Sequence, residues 1–427
     1  MHLSPLLLAA LLALYTYATP ISLANLNITT PPGTPPKEWS QLHRRAPVEI
    51  QESPLNFCFP PVSKKALAVV EKAKPKLNLN VFVFYGRRQN TAVLERYLRR
   101  NSIANGGLVT KVLFVLNLNK IKDNDDVDWI NALAAKYPDF YEVTHTPPGD
   151  FNQNYAHITA KEDMYIKVDD DVVFILDGTF EAMVAELWTR RDWYLLSANV
   201  VGHTIFNGIH NRFGALRAWT LNTENSGIVT KPANETNWRV SHLPHVNVLK
   251  IKRIKTERDM PGSFYQRSYM KVDQEKGQEG LLKGSPLWLM KEGSFDACSW
   301  KSAHCAGAVH YSFFEAVEQN NTERYFFPTW DLHSSGYQRW SIHMFAFWGK
   351  DVMGLDIAGD DEQYLTVTYP EKVERHSGAV GNGLIAHLGY FTQEAVRTHT
   401  DVLDKYDALS REIEQTKLHG MACPGTF

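Results

Sequence analysis

Between residues 79 and 201, short apolar runs alternate with stretches of helical period, and that alternation leaves few folds open. The runs are "LNVFVFYG" (79–86), "KVLFVLNL" (111–118), "YEVTHTP" (141–147), "DMYIKV" (163–168) and "DWYLLSANVV" (192–201). Continuous runs rich in β-branched and aromatic residues read as strands buried on both faces. Between them, "NTAVLERYLRRNSI", "DDVDWINALAAKYP" and "TFEAMVAELWTRR" carry helical spacing, with Asn90 as a candidate N-cap and Pro138 as a stop. The pattern predicts an α/β fold built on a mainly parallel, Rossmann-related sheet with helices on both faces. Regularity fades after Gly202. It returns at "IHMFAFWGKDV" (342–352), in a helix over "DDEQYLTVTYPEKV" (360–373), and in one long amphipathic helix over 393–416. No internal repeat is present.

The chain before this region reads differently. "LSPLLLAALLALYTYA" (3–18) is apolar and uncharged, too short for a comfortable span, with Thr16 and Ala18 at a small-residue cleavage position. It predicts a signal peptide over 1–18, or an uncleaved signal-anchor that ties the chain to a membrane. Residues 19–63 form a stem rich in Pro and Thr, including the dibasic "HRRAP" (43–47). A single catalytic domain is expected over 64–420, divided into 64–202 and 203–420. Entry to the secretory pathway (Golgi or ER lumen, or secretion) agrees with sequons at Asn27, Asn234 and Asn320. It also agrees with the even cysteine count. Cys58, Cys298, Cys305 and Cys423 allow two disulfides in three connectivities, among which sequence does not choose. No CxxC pair points to zinc. A net charge of -2 gives no reason to expect a nucleic-acid partner.

The run "YIKVDDDVVFI" (165–175) carries the chemistry. In open parallel sheets, ligands bind beyond the carboxyl ends of strands, and Asp169-Asp170-Asp171 lie at such an end. Alternation points Asp169 and Asp171 one way and Asp170 the other. Two like charges ~6–7 Å apart on one side repel, and a hard divalent cation with oxygen ligands, Mg2+ or Mn2+, relieves them. An acidic turn is the competing reading, but an apolar strand feeding DDD and then "VVFIL" has no Gly, Pro or Asn to turn on. Downstream, Trp330, Tyr337, Trp340 and Trp348 crowd one stretch. Aromatic rings take the apolar C–H faces of sugars, so these four are the candidate acceptor wall, with core packing as the alternative.

Three segments in order, "VFVFYGRR" (81–88), "YIKVDDDVVFI" and the pair "AGDDEQYL" (358–365) and "GLIAHLGYF" (383–391), resemble nucleotide-sugar glycosyltransferases of the GT-A fold, particularly fungal secretory-pathway members. The resemblance spans roughly residues 79–393. It implies a GT-A-like sheet and an Mn2+- or Mg2+-dependent transfer from a UDP- or GDP-linked sugar to a glycan or glycoprotein acceptor. By the same resemblance, Asp171 is the direct metal ligand, Asp169 reaches ribose or metal-bound water, and His387 completes the metal shell. Asp361, with Glu362 close behind, would be the base of an inverting reaction. Tyr85, Gly86, Arg87 and Arg88 would line the nucleotide, with Tyr85 stacking on its base. Two other readings stand beside this one. A catalytically silent secreted protein on the same scaffold would bind glycans without turnover. A haloacid-dehalogenase-like phosphatase would use the first Asp as nucleophile, with "GDD" (359–361) as its second acidic motif. That class places its aspartates on the first strand, and Lys167 interrupts the run here.

Overall fold

The computed structural model describes residues 57–117, 121, 123–146, 151–222, 237–247, 267–273, 285–290, 298, 302–389 and 392–423. The expected targeting segment, nearly all of the stem, and the sequons at Asn27 and Asn234 lie outside the described residues.

The apolar runs form the strands expected of them. They are β1 (Leu79–Tyr85), β2 (Lys111–Asn117), β3 (Tyr141–Thr146), β4 (Met164–Asp169) and β6 (Leu196–Val201). β5 (Val172–Ile175), β10 (Trp330–Asp331), β11 (Met344–Trp348) and β12 (Gly378–His387) complete one large sheet, in the order β10-β12-β6-β11-β4-β1-β2-β3 with β5 against β12. β1, β2, β3 and β4 pair in parallel, as do β6 and β12. β11 joins the two sets by running antiparallel to both β4 and β6. The carboxyl ends of β1, β4, β6 and β12 therefore share one edge, together with the start of β11. A separate small sheet holds β7 (Trp219–Leu221), β8 (His245–Asn247) and β9 (Tyr269–Asp273).

Alternation along β1 divides the core. Val81, Val83 and Tyr85 face a layer of helices, which comprises α1 (Lys64–Ala73), α2 (Arg88–Arg100), α3 (Asn124–Lys136), α4 (Thr179–Thr189), α5 (Thr204–Arg212) and α6 (Ala303–Glu318). Phe82 and Phe84 face the other way, toward Tyr155, Phe345, Phe347 and Leu365. That second face is covered by a 3-10 segment, Phe151–His157, and by a helical run starting with α7 (Asp361–Gln363) that widens into a π turn over Tyr364–Thr368. The α/β class with helical cover on both faces is what forms.

Several boundaries differ from the sequence reading, each for a physical reason. Phe57 and Phe59 are buried, and Cys58 is bonded to Cys423, so the packed chain starts ahead of the expected Lys64. Cys298 pairs with Cys305. α2 begins at Arg88, and Asn90 is a buried helix residue rather than the cap. The long C-terminal helix is two, α8 (Thr392–His399) and α9 (Val402–Glu414). Thr400 Oγ1 accepts from the Val402 amide at 3.4 Å, and Asp401 turns inward to Tyr311, which breaks the run between them. α6 escaped the sequence reading because it is buried nearly all round and shows no amphipathic stripe.

Candidate functional site

The shared carboxyl edge collects the polar residues that the core excludes. β4 ends at Asp169, and the chain turns through Asp170 and Asp171 into β5. Strand alternation therefore stops at Asp169, and Asp170 and Asp171 both face Arg87, contrary to the expected split. Asp170 Oδ2 accepts from the Gly86 amide at 2.8 Å, and its Oδ1 from Arg87 Nη2 at 2.5 Å and Nε at 3.1 Å. Asp171 Oδ2 accepts from the same Nη2 at 2.7 Å. Asp171 Oδ1 lies 2.9 Å from His387 Nε2, a close charge contact without the in-line angle of a hydrogen bond.

Asp169 belongs to a different set. Its carboxylate accepts from Lys167 Nζ, and Oδ2 lies 3.3 Å from His343 Nδ1. Lys167 is buried, donates to the Ile342 carbonyl at 2.7 Å, and lies over the Phe84 ring. The His343 ring stacks on His387 with centroids 3.5 Å apart. Asp169, His343 and His387 each bring one ligand atom to within 4.8 Å of the others. Backbone pairing explains the meeting, since the Asp169 amide donates to the His343 carbonyl at 2.8 Å where β11 starts beside β4.

His387 is held by its backbone neighbours. A Cβ on Gly389 would fall 2.1 Å from His387 Cε1, and one on Gly202, at φ +94°, 2.4 Å from the His387 carbonyl oxygen. Gln393 ties the two loops together, accepting from the Gly389 amide and donating to the Gly202 carbonyl, both at 2.8 Å.

The electrostatics follow from burial set against neighbours. Burial raises the Asp171 carboxyl, but His387 and Arg87 outweigh it and hold the group well below the ordinary value. Burial likewise opposes ionisation of Asp169, and Lys167 and His343 overcome it, so its pKa falls. Asp170 is pushed up to about 6, by burial first and then by Asp171 and Asp169, against Arg87. His343 is lowered by burial and by His387. Asp361, the first residue of α7, accepts at Oδ2 from Tyr155 Oη at 3.2 Å. Its pKa is raised by burial and by Asp169, with Lys167 opposing. Four carboxylates thus answer to two cations, Arg87 and Lys167, and the buried His387 Nδ1 has no partner. That surplus is what a divalent cation relieves.

No family model matches this chain, and no curated protein sequence matches it. Among solved structures it is similar to glucosyl-3-phosphoglycerate synthase from Mycobacterium tuberculosis in complex with Mn2+, UDP and glucosyl-3-phosphoglycerate. That match has 15% identity over 34% of this chain and 49% of that one, with a TM-score of 0.24. It is also similar to GalNAc-T7 with UDP, GalNAc and Mn2+, at 8% identity over 73% of this chain and 43% of that one, with a TM-score of 0.34. The chain spans about half the length of the first solved structures it matches.

The structure brings together Gly86, Arg87, Asp169, Asp171, His387 and Asp361 from the sequence-derived set. Others are placed elsewhere. Tyr85 is buried among Phe114 and Trp129 and donates to the Asp126 carbonyl at 2.6 Å, so it has no face for a nucleobase. Arg88 lies over Trp129. Glu362 is held by Arg339 at 2.7 Å. The expected acceptor wall does not assemble. Trp348 pairs with Met164 at the opposite end of β4, ~16 Å along the strand from Asp169. Trp330 pairs with Ala379 at the start of β12, and Tyr337 packs beside His333 and His376 near that same end. Trp340 lies deep in the core against Phe345. Sequence reasoning missed His343, Gly202, Gly389 and Lys167's role. The cue for His343 was a histidine at the start of an apolar strand, with nothing in its spacing to tie it to Asp169.

Proposed function

We propose that this chain is a metal-dependent glycosyltransferase that moves a sugar from a UDP- or GDP-linked donor to a hydroxyl of a glycan or glycoprotein, with inversion. The observation that carries the reading is the meeting of Asp169, His343 and His387 at the carboxyl edge of parallel strands, with Asp171 against His387 and the raised Asp361 carboxyl beside them. The surplus of carboxylates and the unpartnered His387 Nδ1 fit a divalent cation, and an imidazole donor suits Mn2+ better than Mg2+. Asp169 and His387 would hold it, and such a cation supplies charge neutralisation to the departing diphosphate.

The chain's own residues do the rest. Asp361 Oδ2 is occupied by Tyr155, which leaves Oδ1 to take the proton of the acceptor hydroxyl. The hydroxyl oxygen then forms its bond to the anomeric carbon as the bond to the diphosphate breaks, and the nucleoside diphosphate leaves with that electron pair. Lys167 donates to Asp169 and its charge also acts on Asp361, which limits the repulsion between the two. Arg87, partly exposed, is placed to meet a phosphate. Residence in an oxidising secretory compartment is part of the proposal, supported by the disulfides Cys58–Cys423 and Cys298–Cys305.

One observation favours the silent glycan-binding alternative: Arg87 already neutralises part of the aspartate cluster. Nucleotide release decides between them. Purified protein is incubated with a panel of UDP- and GDP-sugars in Mn2+, with and without EDTA. The proposal expects release from one donor class, abolished by EDTA. Folded protein that releases nothing from any donor would favour the binding protein.

A further inference from the structure

We infer that Asn320 is a modification site and carries an asparagine-linked oligosaccharide. The inference rests on the secretory residence proposed above and is independent of the transfer chemistry.

The local fold puts the residue outside. α6 ends at Glu318, with Gln319 as its cap. Asn320 follows at φ +55°, a left-handed conformation that asparagine adopts more readily than most residues. The Asn320 amide donates to the Val317 carbonyl at 3.1 Å and the Asn321 amide to the Ala316 carbonyl at 2.8 Å, the paired bonds of a Schellman turn. Asn320 and Asn321 are exposed on that turn.

The carboxamide is anchored by the end that the modification spares. Asn320 Oδ1 accepts from the Cys58 amide at 2.6 Å, beside the Cys58–Cys423 disulfide. In glycosylation, Nδ2 bonds to the anomeric carbon of an oligosaccharide carried on a lipid diphosphate and gives up one proton. The diphosphate leaves with the electron pair of the broken C–O bond. Oδ1 keeps its lone pairs, so the Cys58 contact survives.

Left-handed backbone and the Cys58 contact account for an asparagine at 320, but not for the threonine two residues on. Thr322 is fully buried, and its Oγ1 has no hydrogen-bond partner among the described residues. Valine has the same shape and would bury no unpaired hydroxyl there. Recognition of Asn-x-Thr needs that hydroxyl, and Asn321 between them is not proline. The burial of Thr322 places the transfer ahead of folding, while the chain after α6 is still open to an enzyme.

The test reads the asparagine itself. The full-length chain is produced in the secretory pathway of a eukaryotic cell. Peptide N-glycosidase in heavy-oxygen water then converts glycosylated asparagine to labelled aspartate, and mass spectrometry locates the label. Label at position 320 is expected in most molecules. Thr322→Val should abolish it without lowering the melting temperature, and Thr322→Ser should retain it. An unlabelled position 320 in protein whose Cys58–Cys423 disulfide has formed would overturn the inference and leave secretory residence standing. Label that persists in Thr322→Val would overturn it too. Free thiols with no glycan anywhere on the chain would remove secretory residence and this inference together.

Discussion

The two ends of the β4–β11–β6–β12 sheet are built from similar residues to opposite effect. At the far end, Arg375 reaches Asp351 at 2.5 Å and the Trp193 carbonyl at 2.6 Å, and Arg191 lies 3.5 Å above the Trp348 ring. There each arginine has found a partner inside the protein. At the carboxyl end, four carboxylates share Arg87 and Lys167, two imidazoles stack on each other, and a buried ring nitrogen has none. A charge network that closes on itself holds a fold together. One that leaves carboxylates in surplus over its cations has charge that a cation from outside can neutralise.

Substitutions at the two ends should therefore separate binding from stability. The largest effect is expected from Asp169→Asn, which should weaken Mn2+-dependent nucleotide binding on the order of 10²–10³-fold. Its melting temperature should move little, because asparagine still accepts from Lys167. Calorimetry beside a thermal melt reads both. Next, Asp361→Asn should slow sugar transfer by roughly 10²–10⁴-fold with nucleotide affinity within about twofold of wild type. Glu362→Gln, on the charge already spent on Arg339, should change the rate only a few-fold. A slower Glu362 variant than Asp361 variant would exchange their roles.

The far end should give the reverse signature. Trp348→Ala should cost roughly 3–5 kcal/mol, and Arg375→Ala roughly 2–3 kcal/mol because Arg375 is partly exposed. Denaturant unfolding measures both. Nucleotide affinity should be unchanged in each, and a specific loss of acceptor affinity in Trp348→Phe would restore the aromatic wall.

A further expected effect concerns pH. Burial pushes the Asp401 carboxyl up to about 6, against the opposing charge of Lys405. The folded state then holds this proton more tightly than the unfolded chain. The stabilisation is complete below about pH 4 and is lost as pH rises through 6, by roughly 3 kcal/mol at most. Asp401→Asn should flatten that part of the stability profile, and an unchanged profile would remove Asp401 from the account.

What could be read from the sequence was local. β1, β2 and β4 declare themselves because each is a continuous apolar run, and the aspartates declare themselves because they end one. β12 was legible only as the motif around His387, since "GAVGNGLIAH" has too many glycines to alternate. His343 is 174 residues from Asp169, and only the antiparallel pairing of β11 with β4 brings them together. The same pairing misled the aromatic reading. β11 starts at the site and runs away from it, so Trp348 ends at the far edge although it stands five residues from His343. Direction within a sheet is not written in residue type.

The proposed function stands on the carboxyl edge being a metal and nucleoside-diphosphate site. Calorimetric titration of the purified protein with UDP and with GDP, each in the presence and absence of Mn2+, tests it most directly. Saturable one-to-one binding of one of the two nucleotides, dependent on Mn2+, is expected. Binding of neither in any condition, by protein with an intact melting transition, would contradict it.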